Sequence, residues 1–243
     1  MMKLALRNIS KSFGDKQILD SISFDVQDGE FVSLIGPSGS GKSTLFNLIG
    51  GLFAPDSGEI FMNEKEITRR SGHIGYMPQQ ASLFPWRSVM QNVLLGQELQ
   101  GIKEKDRAMK MLEKAGLGDV ALAYPHELSG GMKQRVAFIR ALLSPQSFMC
   151  LDEPFSALDE FTRLDMQKWL LYIWEEDQQS VLFVTHNIEE ALFLSDKIII
   201  LSTNPAHVKK EIIIPFSRPR NEDILLTSEF LEWKKYVMET VQA

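Results

Sequence analysis

The stretch Gly36-Pro-Ser-Gly-Ser-Gly-Lys-Ser-Thr44 decides the interpretation of the whole chain. Two glycines with four residues between them precede a lysine and a serine, which is the pattern of a loop that wraps phosphate groups. Glycines let backbone N–H groups turn inward around phosphate oxygens, and the start of the following helix adds partial positive charge. We therefore predict a nucleotide site formed by Gly36, Pro37, Ser38, Gly39, Ser40, Gly41, Lys42, Ser43 and Thr44. Lys42 would reach the β and γ phosphates, and the Ser43 hydroxyl would ligate Mg²⁺.

The flanking sequence supports this assignment over a glycine-rich turn that contains a chance lysine. An apolar run at 31–35 predicts a strand before the loop, and an apolar-periodic stretch at 44–52 predicts a helix after it. Three further apolar runs, at 148–151, 181–184 and 198–201, are continuous rather than alternating, as central parallel strands covered on both faces usually are. The sequence thus predicts a parallel sheet covered by helices.

Two other regions follow different patterns. The front of the chain has short, half-alternating segments at 4–9, 22–26 and 59–61, which predict a small antiparallel sheet. Between positions 89 and 143 strand signals stop, and helical patterns such as those at 103–115 and 132–143 take over. A further short helix is predicted at 229–241.

Composition narrows the class of protein. The 243 residues contain 26 Lys and Arg against 32 Asp and Glu, a net charge of −6, which argues against a protein that coats nucleic acid. A single cysteine cannot form an internal disulfide, so a reducing compartment is expected. No targeting segment and no apolar run near the roughly 20 residues of a membrane helix is present, so the isolated chain is expected to be soluble.

Acidic residues follow one of the buried runs. Asp152 and Glu153 come directly after 148–151, and acids at the carboxyl end of a parallel strand face the ligand crevice. Asp152 would hold Mg²⁺, and Glu153 would orient or deprotonate an attacking water. The alternative is a pair of acids that caps the next helix. His186 ends the run at 181–184 and should emerge at the same sheet edge, although a lone histidine after a strand is more often a turn residue.

A second glycine-rich helix start lies at 128–135. An N-cap explains Ser129 but gives no reason for Gly130 and Gly131, which would suit the close approach of a backbone to a ligand.

With these motifs in place, the chain resembles the ATP-binding subunits of ABC transporters over residues 3–215, with every motif in the family's order. The resemblance implies an α/β fold: a P-loop NTPase (RecA-like) core with an N-terminal antiparallel β-subdomain and an inserted α-helical subdomain. It implies one domain over 1–243, in which 1–88 and 146–215 form the core and β-subdomain. The helical subdomain would span 89–145, and a C-terminal extension 216–243.

The resemblance also implies a role for each motif. Residues 36–44 look like Walker A, 148–153 like Walker B, and 128–134 like the signature. Gln79 resembles the Q-loop glutamine, which contacts Mg²⁺ and couples to the permease, while His186 resembles the H-loop switch. Asp159 falls in a D-loop at 156–159. Phe13 lies where the family stacks an aromatic ring on adenine; the alternative is a core aromatic under a turn.

Family membership would further imply two copies packed head to tail. Walker A of one copy and Ser129, Gly130 and Gly131 of the other would then enclose each ATP, with ATP and Mg²⁺ as cofactors. A membrane permease would dock at the region from Gln79 to Trp86, which would hold the chain at the cytoplasmic face of the membrane. The alternative for Trp86 is local packing.

The segments 83–86 and 217–220 resemble the nitrate/sulfonate/taurine importer group, whose relatives include ATPases for thiamine-pyrimidine precursors. An importer subunit would work indirectly with a solute-binding protein and would need no nucleic acid. The alternatives are an exporter ATPase, a non-transport ABC ATPase and a regulator without turnover. The intact Glu153 and His186 argue against the regulator.

Overall fold

A central six-stranded sheet carries the phosphate-binding loop at the end of one of its inner strands. The computed structural model describes residues 2–102, 104–156, 158–203 and 205–242. Its strands are β1 Met2–Phe13, β2 Lys16–Gln27, β3 Phe31–Ile35, β4 Ser57–Met62, β5 Lys65–Glu66, β6 Gly75–Met77, β7 Phe148–Asp152, β8 Ser180–Val184, β9 Lys197–Leu201 and β10 Val208–Ile213. Its α-helices are α1 Lys42–Ile49, α2 Val89–Val93, α3 Leu95–Glu98, α4 Lys105–Lys114, α5 Gly130–Leu142, α6 Glu160–Asp177, α7 Ile188–Leu194 and α8 Ser228–Gln242.

The two sheets have the predicted characters. The central sheet has the order β10-β9-β3-β8-β7-β6, in which every pair is parallel except β10 with β9. The second sheet, of order β2-β1-β4-β5, is antiparallel throughout. Because β3, β8 and β7 are neighbours and run in the same direction, the loops that follow them meet at one edge of the sheet.

Both faces of the central sheet are covered. The strands β3, β7, β8 and β9 are buried along their whole length, which confirms the prediction from their continuous apolar runs. On one face the antiparallel sheet and α1 complete a core that includes Leu4, Phe24, Phe46, Ile60 and Phe148. On the other face α5 and α6 pack over the sheet, in a core that includes Phe31, Phe138, Phe155, Trp174 and Phe183.

The described residues between β6 and β7 contain helices and no strands, as the pattern at 89–143 predicts. The helix predicted at 103–115 is observed as α4, with position 103 outside the described residues. The helix predicted from 132 begins two residues earlier, because Ser129 caps it. The division of the chain into 1–88 with 146–215, 89–145 and 216–243 stays a prediction.

Two further features bear on function. The helix α8 matches the predicted C-terminal helix and packs against α7, which follows β8. In the four ranges that the structure describes, no helix is both long enough and apolar enough to cross a lipid bilayer.

Candidate active site

The phosphate-binding loop joins β3 to α1 and borders a cavity of about 400 Å³. The cavity is lined by Lys16, Ile18, Ser38, Gly39, Ser40, Gly41, Lys42, Ser43, Thr44 and Glu153. Gly41 has φ of +77°, and a Cβ there would lie 2.6 Å from Leu19 Cδ2 and 2.9 Å from Ile18 Cγ2. Both its backbone conformation and the neighbouring β2 strand therefore require glycine at this position.

The side chain of Lys42 is folded into the loop. Its Nζ donates to the carbonyl oxygens of Gly36 at 2.8 Å and Pro37 at 3.0 Å, and to Ser40 Oγ at 3.2 Å. Burial lowers the pKa of Lys42, while the nearby carboxylates of Glu153 and Asp152 act in the opposite direction. The loop thus holds a cation at the cavity through weak neutral acceptors, which phosphate oxygens can replace.

Asp152 is the last residue of β7 and is 7% exposed. Its carboxylate accepts hydrogen bonds from Ser43 and, at 3.5 Å, from the Tyr76 hydroxyl. Burial raises the pKa of Asp152, and the adjacent Glu153 raises it further. The next helix, α6, is capped by Asp159 instead, so Asp152 and Glu153 do not serve as its cap.

Glu153 stands at the point where three segments meet. Its φ of +45° is in the left-handed region, and its backbone N–H donates to Val184 O of the adjacent strand at 2.9 Å. Its Oε2 accepts from Gln79 Nε2 at 3.0 Å and lies 3.3 Å from His186 Nδ1. The structure therefore brings Gln79, Glu153 and His186 together at the mouth of the phosphate cavity.

The residues predicted to hold Mg²⁺ fit that ion by their chemistry. Ser43, Asp152 and Gln79 offer a hydroxyl, a carboxylate and an amide oxygen, the hard donors that Mg²⁺ prefers. The described residues contain no cluster of three or more His, Cys, Asp or Glu side chains that could form a complete metal cage. A partial set of protein ligands suits Mg²⁺, which usually retains water and binds substrate phosphates. Ser43 contacts Asp152 directly, whereas Gln79 contacts the site through Glu153.

The second glycine-rich segment does not line the phosphate cavity. Ser129 is the N-cap of α5, and its Oγ accepts from Met132 N at 3.2 Å. Gly130 and Gly131 follow in the first turn of the helix. Asp159 is exposed, and its side chain accepts a hydrogen bond from Thr162 N at 3.0 Å. Position 157 of the predicted D-loop lies outside the described residues.

Two predicted contact residues are exposed aromatics. Phe13 is 47% exposed, with its ring edge-on to Phe53 at 5.8 Å and beneath Lys11 Nζ at 5.5 Å, so it is not part of the core. Trp86 is 70% exposed and touches Phe84 at a ring separation of 5.2 Å. Both rings are thus available to a ligand or a partner.

Sequence reasoning missed three residues around the site and the contacts of a fourth, Gln134. Lys16 and Ile18 line the cavity from β2, Tyr76 contacts Asp152, and Gln134 joins α5 to the segments of Gln79 and Glu153. Tyr76 could have been found, because it lies in a short apolar segment three residues before Gln79. Lys16, Ile18 and the contacts of Gln134 depend on the meeting of distant segments, for which the sequence carries no local signal.

Comparison with known proteins gives consistent matches. The family model described as ABC transporter matches residues 19–156. The chain is 39% identical to an uncharacterized ABC transporter ATP-binding protein of Methanocaldococcus jannaschii, over 99% of this chain and 92% of that protein. It is 42% identical to the aliphatic sulfonates import ATP-binding protein SsuB of Bacillus anthracis, over 91% of this chain and 90% of that one.

Solved structures agree with these relatives. The dimeric structure of MJ0796, a bacterial ABC transporter cassette, is 32% identical and superposes with a TM-score of 0.77, covering 88% of this chain and all of that one. A post-hydrolysis state of MJ0796 bound to ADP and Pi superposes with a TM-score of 0.74 over the same share of both chains.

Proposed function

Because the chain belongs to the ABC transporter family and is one of its ATPases, we propose that it supplies the energy for an importer through a partner permease. The observation that carries this proposal is the position of Glu153, whose carboxylate lies between Gln79 and His186 at the mouth of the phosphate cavity. A carboxylate held at that place can orient the water that attacks the γ-phosphate.

The hydrolytic step uses side chains that the loops already hold in place. Lys42 would exchange its carbonyl partners for the β and γ phosphate oxygens, and the backbone N–H groups of 38–44 would surround the same phosphates. Glu153 would accept a proton from the attacking water, with His186 beside it to orient the carboxylate. Ser43, Asp152 and Gln79 would hold Mg²⁺, which when bound would neutralise negative charge on the phosphates.

A second copy of the chain would complete the site. Ser129, Gly130 and Gly131 lie outside the phosphate cavity of their own chain, and they offer backbone N–H groups at the start of a 13-residue helix. Such a helix start binds an anion, so it suits the nucleotide of a partner. The dimeric cassettes that superpose on this chain support the same arrangement. Phe13, exposed beside the cavity strand β2, would stack on the adenine.

The permease would dock at the segment from Gln79 to Trp86. The exposed Trp86 packs against the half-buried Phe84, close to Gln79 in sequence, and aromatics of this kind are enriched where proteins associate. This contact would place the chain at the cytoplasmic face of a membrane, where a solute-binding protein acts through the permease. The identity to a sulfonate import protein supports the nitrate/sulfonate/taurine type.

The test is to purify a tagged Glu153→Gln variant from detergent-solubilised membranes with ATP present. The variant should bind ATP but lose at least about 100-fold in turnover, because it lacks the base. It should dimerise and co-purify with a polytopic permease. In the same background, Trp86→Ala should keep the ATP-dependent dimer but lose the permease. Turnover at the parental rate would remove Glu153 as the base, and recovery of ribosomes or DNA-repair proteins without a membrane protein would exclude the importer.

A further inference from the structure

One side chain of α5 joins two loops of the active site. Gln134 Nε2 donates to Gln79 O at 3.1 Å and to Pro154 O at 3.2 Å. Gln79 contributes its own side chain to Glu153, and Pro154 is the residue that follows Glu153. The carboxamide of Gln134 therefore contacts the backbone of the residue after Glu153 and the backbone of the residue whose side chain bonds the Glu153 carboxylate.

The geometry fixes how this carboxamide is oriented. Gln134 is 4% exposed, and both atoms close to its nitrogen are carbonyl oxygens, so an amide N–H group must face each of them. Its Oε1 is buried and has no hydrogen-bond partner among the described residues. An acceptor left unpaired is unfavourable for stability, so the two donated bonds, rather than stability, are the reason to have a glutamine here.

A second residue of α5 fastens only one of the two loops. Arg140 donates to Ser82 O at 2.8 Å and to Ala81 O at 2.9 Å. Together, Gln134 and Arg140 tie three carbonyls of the segment 79–82 to the helix, so this segment should move with α5. Of these two side chains, only Gln134 also donates to Pro154 O, which links α5 to the residue next to Glu153.

We propose that Gln134 is a positioning residue for ATP hydrolysis, which holds Glu153 and Gln79 in register with α5. Since Ser129 caps α5, contact of that helix start with a nucleotide on the partner would adjust the position of this chain's own Glu153. This step rests on the proposed function, in which Ser129, Gly130 and Gly131 serve the partner's ATP. The two ATP sites of the dimer are thereby connected within each chain.

The experiment compares Gln134→Leu with Gln97→Leu in the full-length protein. Leucine has a similar size but cannot donate, so Gln134→Leu should lower kcat by about tenfold or more through a misplaced Glu153. KM for ATP and the Kd for nucleotide should change by less than about twofold, because the phosphate loop is untouched. Gln97 is 2% exposed, and among the described residues its side chain bonds only to Glu104 in the helical insert, so Gln97→Leu should keep kcat.

Two results would overturn the proposal. The first is that Gln134→Leu keeps the kcat of the parental protein. The second is that Gln97→Leu and Gln134→Leu lower the melting temperature equally and also lower kcat equally. If Gln134→Leu does not fold, Gln134→Asn shortens the side chain by one methylene, keeps the amide, and should give the same loss of kcat with an unchanged KM. A failure of the proposed function would be recognised by a different result. In that case the Glu153→Gln variant, with Gln134 intact, would form no ATP-dependent dimer.

Discussion

Two helices of this chain begin with glycine-rich segments, and the two segments differ in what their own fold requires. In the phosphate loop, Gly41 has φ of +77° and leaves no room for a Cβ beside Leu19 and Ile18. At the start of α5, neither Gly130 nor Gly131 has a positive φ. A Cβ on Gly130 would have no neighbour within 4 Å among the described residues, and one on Gly131 would make ordinary contacts of 3.5 and 3.6 Å.

The comparison separates glycines needed for folding from glycines needed for binding. In the first segment, position 41 must be glycine for this chain to reach its own structure. The second could carry alanine without strain, and alanine would be the better helix former. A reason for Gly130 must therefore lie outside the isolated chain, which supports the proposal that the start of α5 approaches the nucleotide of a second copy.

The largest effect is expected for Gly41→Ala. The left-handed backbone costs about 1–2 kcal/mol for alanine, and crowding against Leu19 and Ile18 adds about 1–3 kcal/mol. Gly39→Ala is the matched control, because Gly39 has φ of +83° but nothing within 4 Å of a Cβ among the described residues. Denaturant unfolding without nucleotide should show a clearly greater loss for Gly41→Ala. Equal losses would mean that crowding by β2 contributes nothing.

The next effect should fall on activity instead of stability. Gly130→Ala should leave the free energy of unfolding unchanged or raise it by up to about 1 kcal/mol. Its ATPase rate should fall by about 100-fold, since a methyl group would hold the partner's phosphates away from the N–H groups. Gly96→Ala in α3, where contacts are also ordinary, should keep full activity. Normal turnover by Gly130→Ala would remove the close-approach explanation.

Some parts of the structure could be predicted from the sequence because they have local signals. The phosphate loop, the buried strands and the helices α5 and α8 have local signals, namely glycine spacing, continuous apolar runs and a capping serine. The helix α6 was missed, because apolar residues such as Leu164 and Leu171 lie outside the stripe formed by Met166, Trp169 and Leu170 and obscure the helical period. The strand β10, antiparallel at the sheet edge, was missed because charged residues interrupt its apolar pattern.

At the site, residue types were predictable and contacts were not. The positions of Lys42, Asp152 and His186 follow from the loop and from the strands that precede them. The meeting of Gln79 with Glu153, 74 residues apart in the chain, depends on the order of the strands, which the sequence does not state. Gln134 was readable as part of a motif, but its bond to Pro154 was not.

A third helix start, that of α7, offers the smallest and most specific test, because it uses no glycine. Asn187 caps this helix, and Glu190 in its first turn is 5% exposed and accepts from the hydroxyl of Thr185 at 2.5 Å. Burial raises the pKa of Glu190, against the opposing effects of Thr185 and Arg163. The folded protein therefore holds this proton more strongly than the unfolded chain, whose glutamates titrate near pH 4.3.

The contribution of Glu190 to the free energy of unfolding should consequently decrease as the pH rises from about 4.3 through the raised pKa of Glu190. Glu190→Gln removes that penalty and keeps an acceptor for Thr185, so it should raise the melting temperature by a few degrees at pH 7. The gain should vanish below about pH 4.3, where both states of the parent are protonated. Glu189→Gln, at an exposed site, should show little change. If Glu190→Gln also raises the melting temperature at low pH, the effect comes from packing. If it lowers the melting temperature at pH 7, the ion pair of Glu190 with Arg163 outweighs the cost of burial.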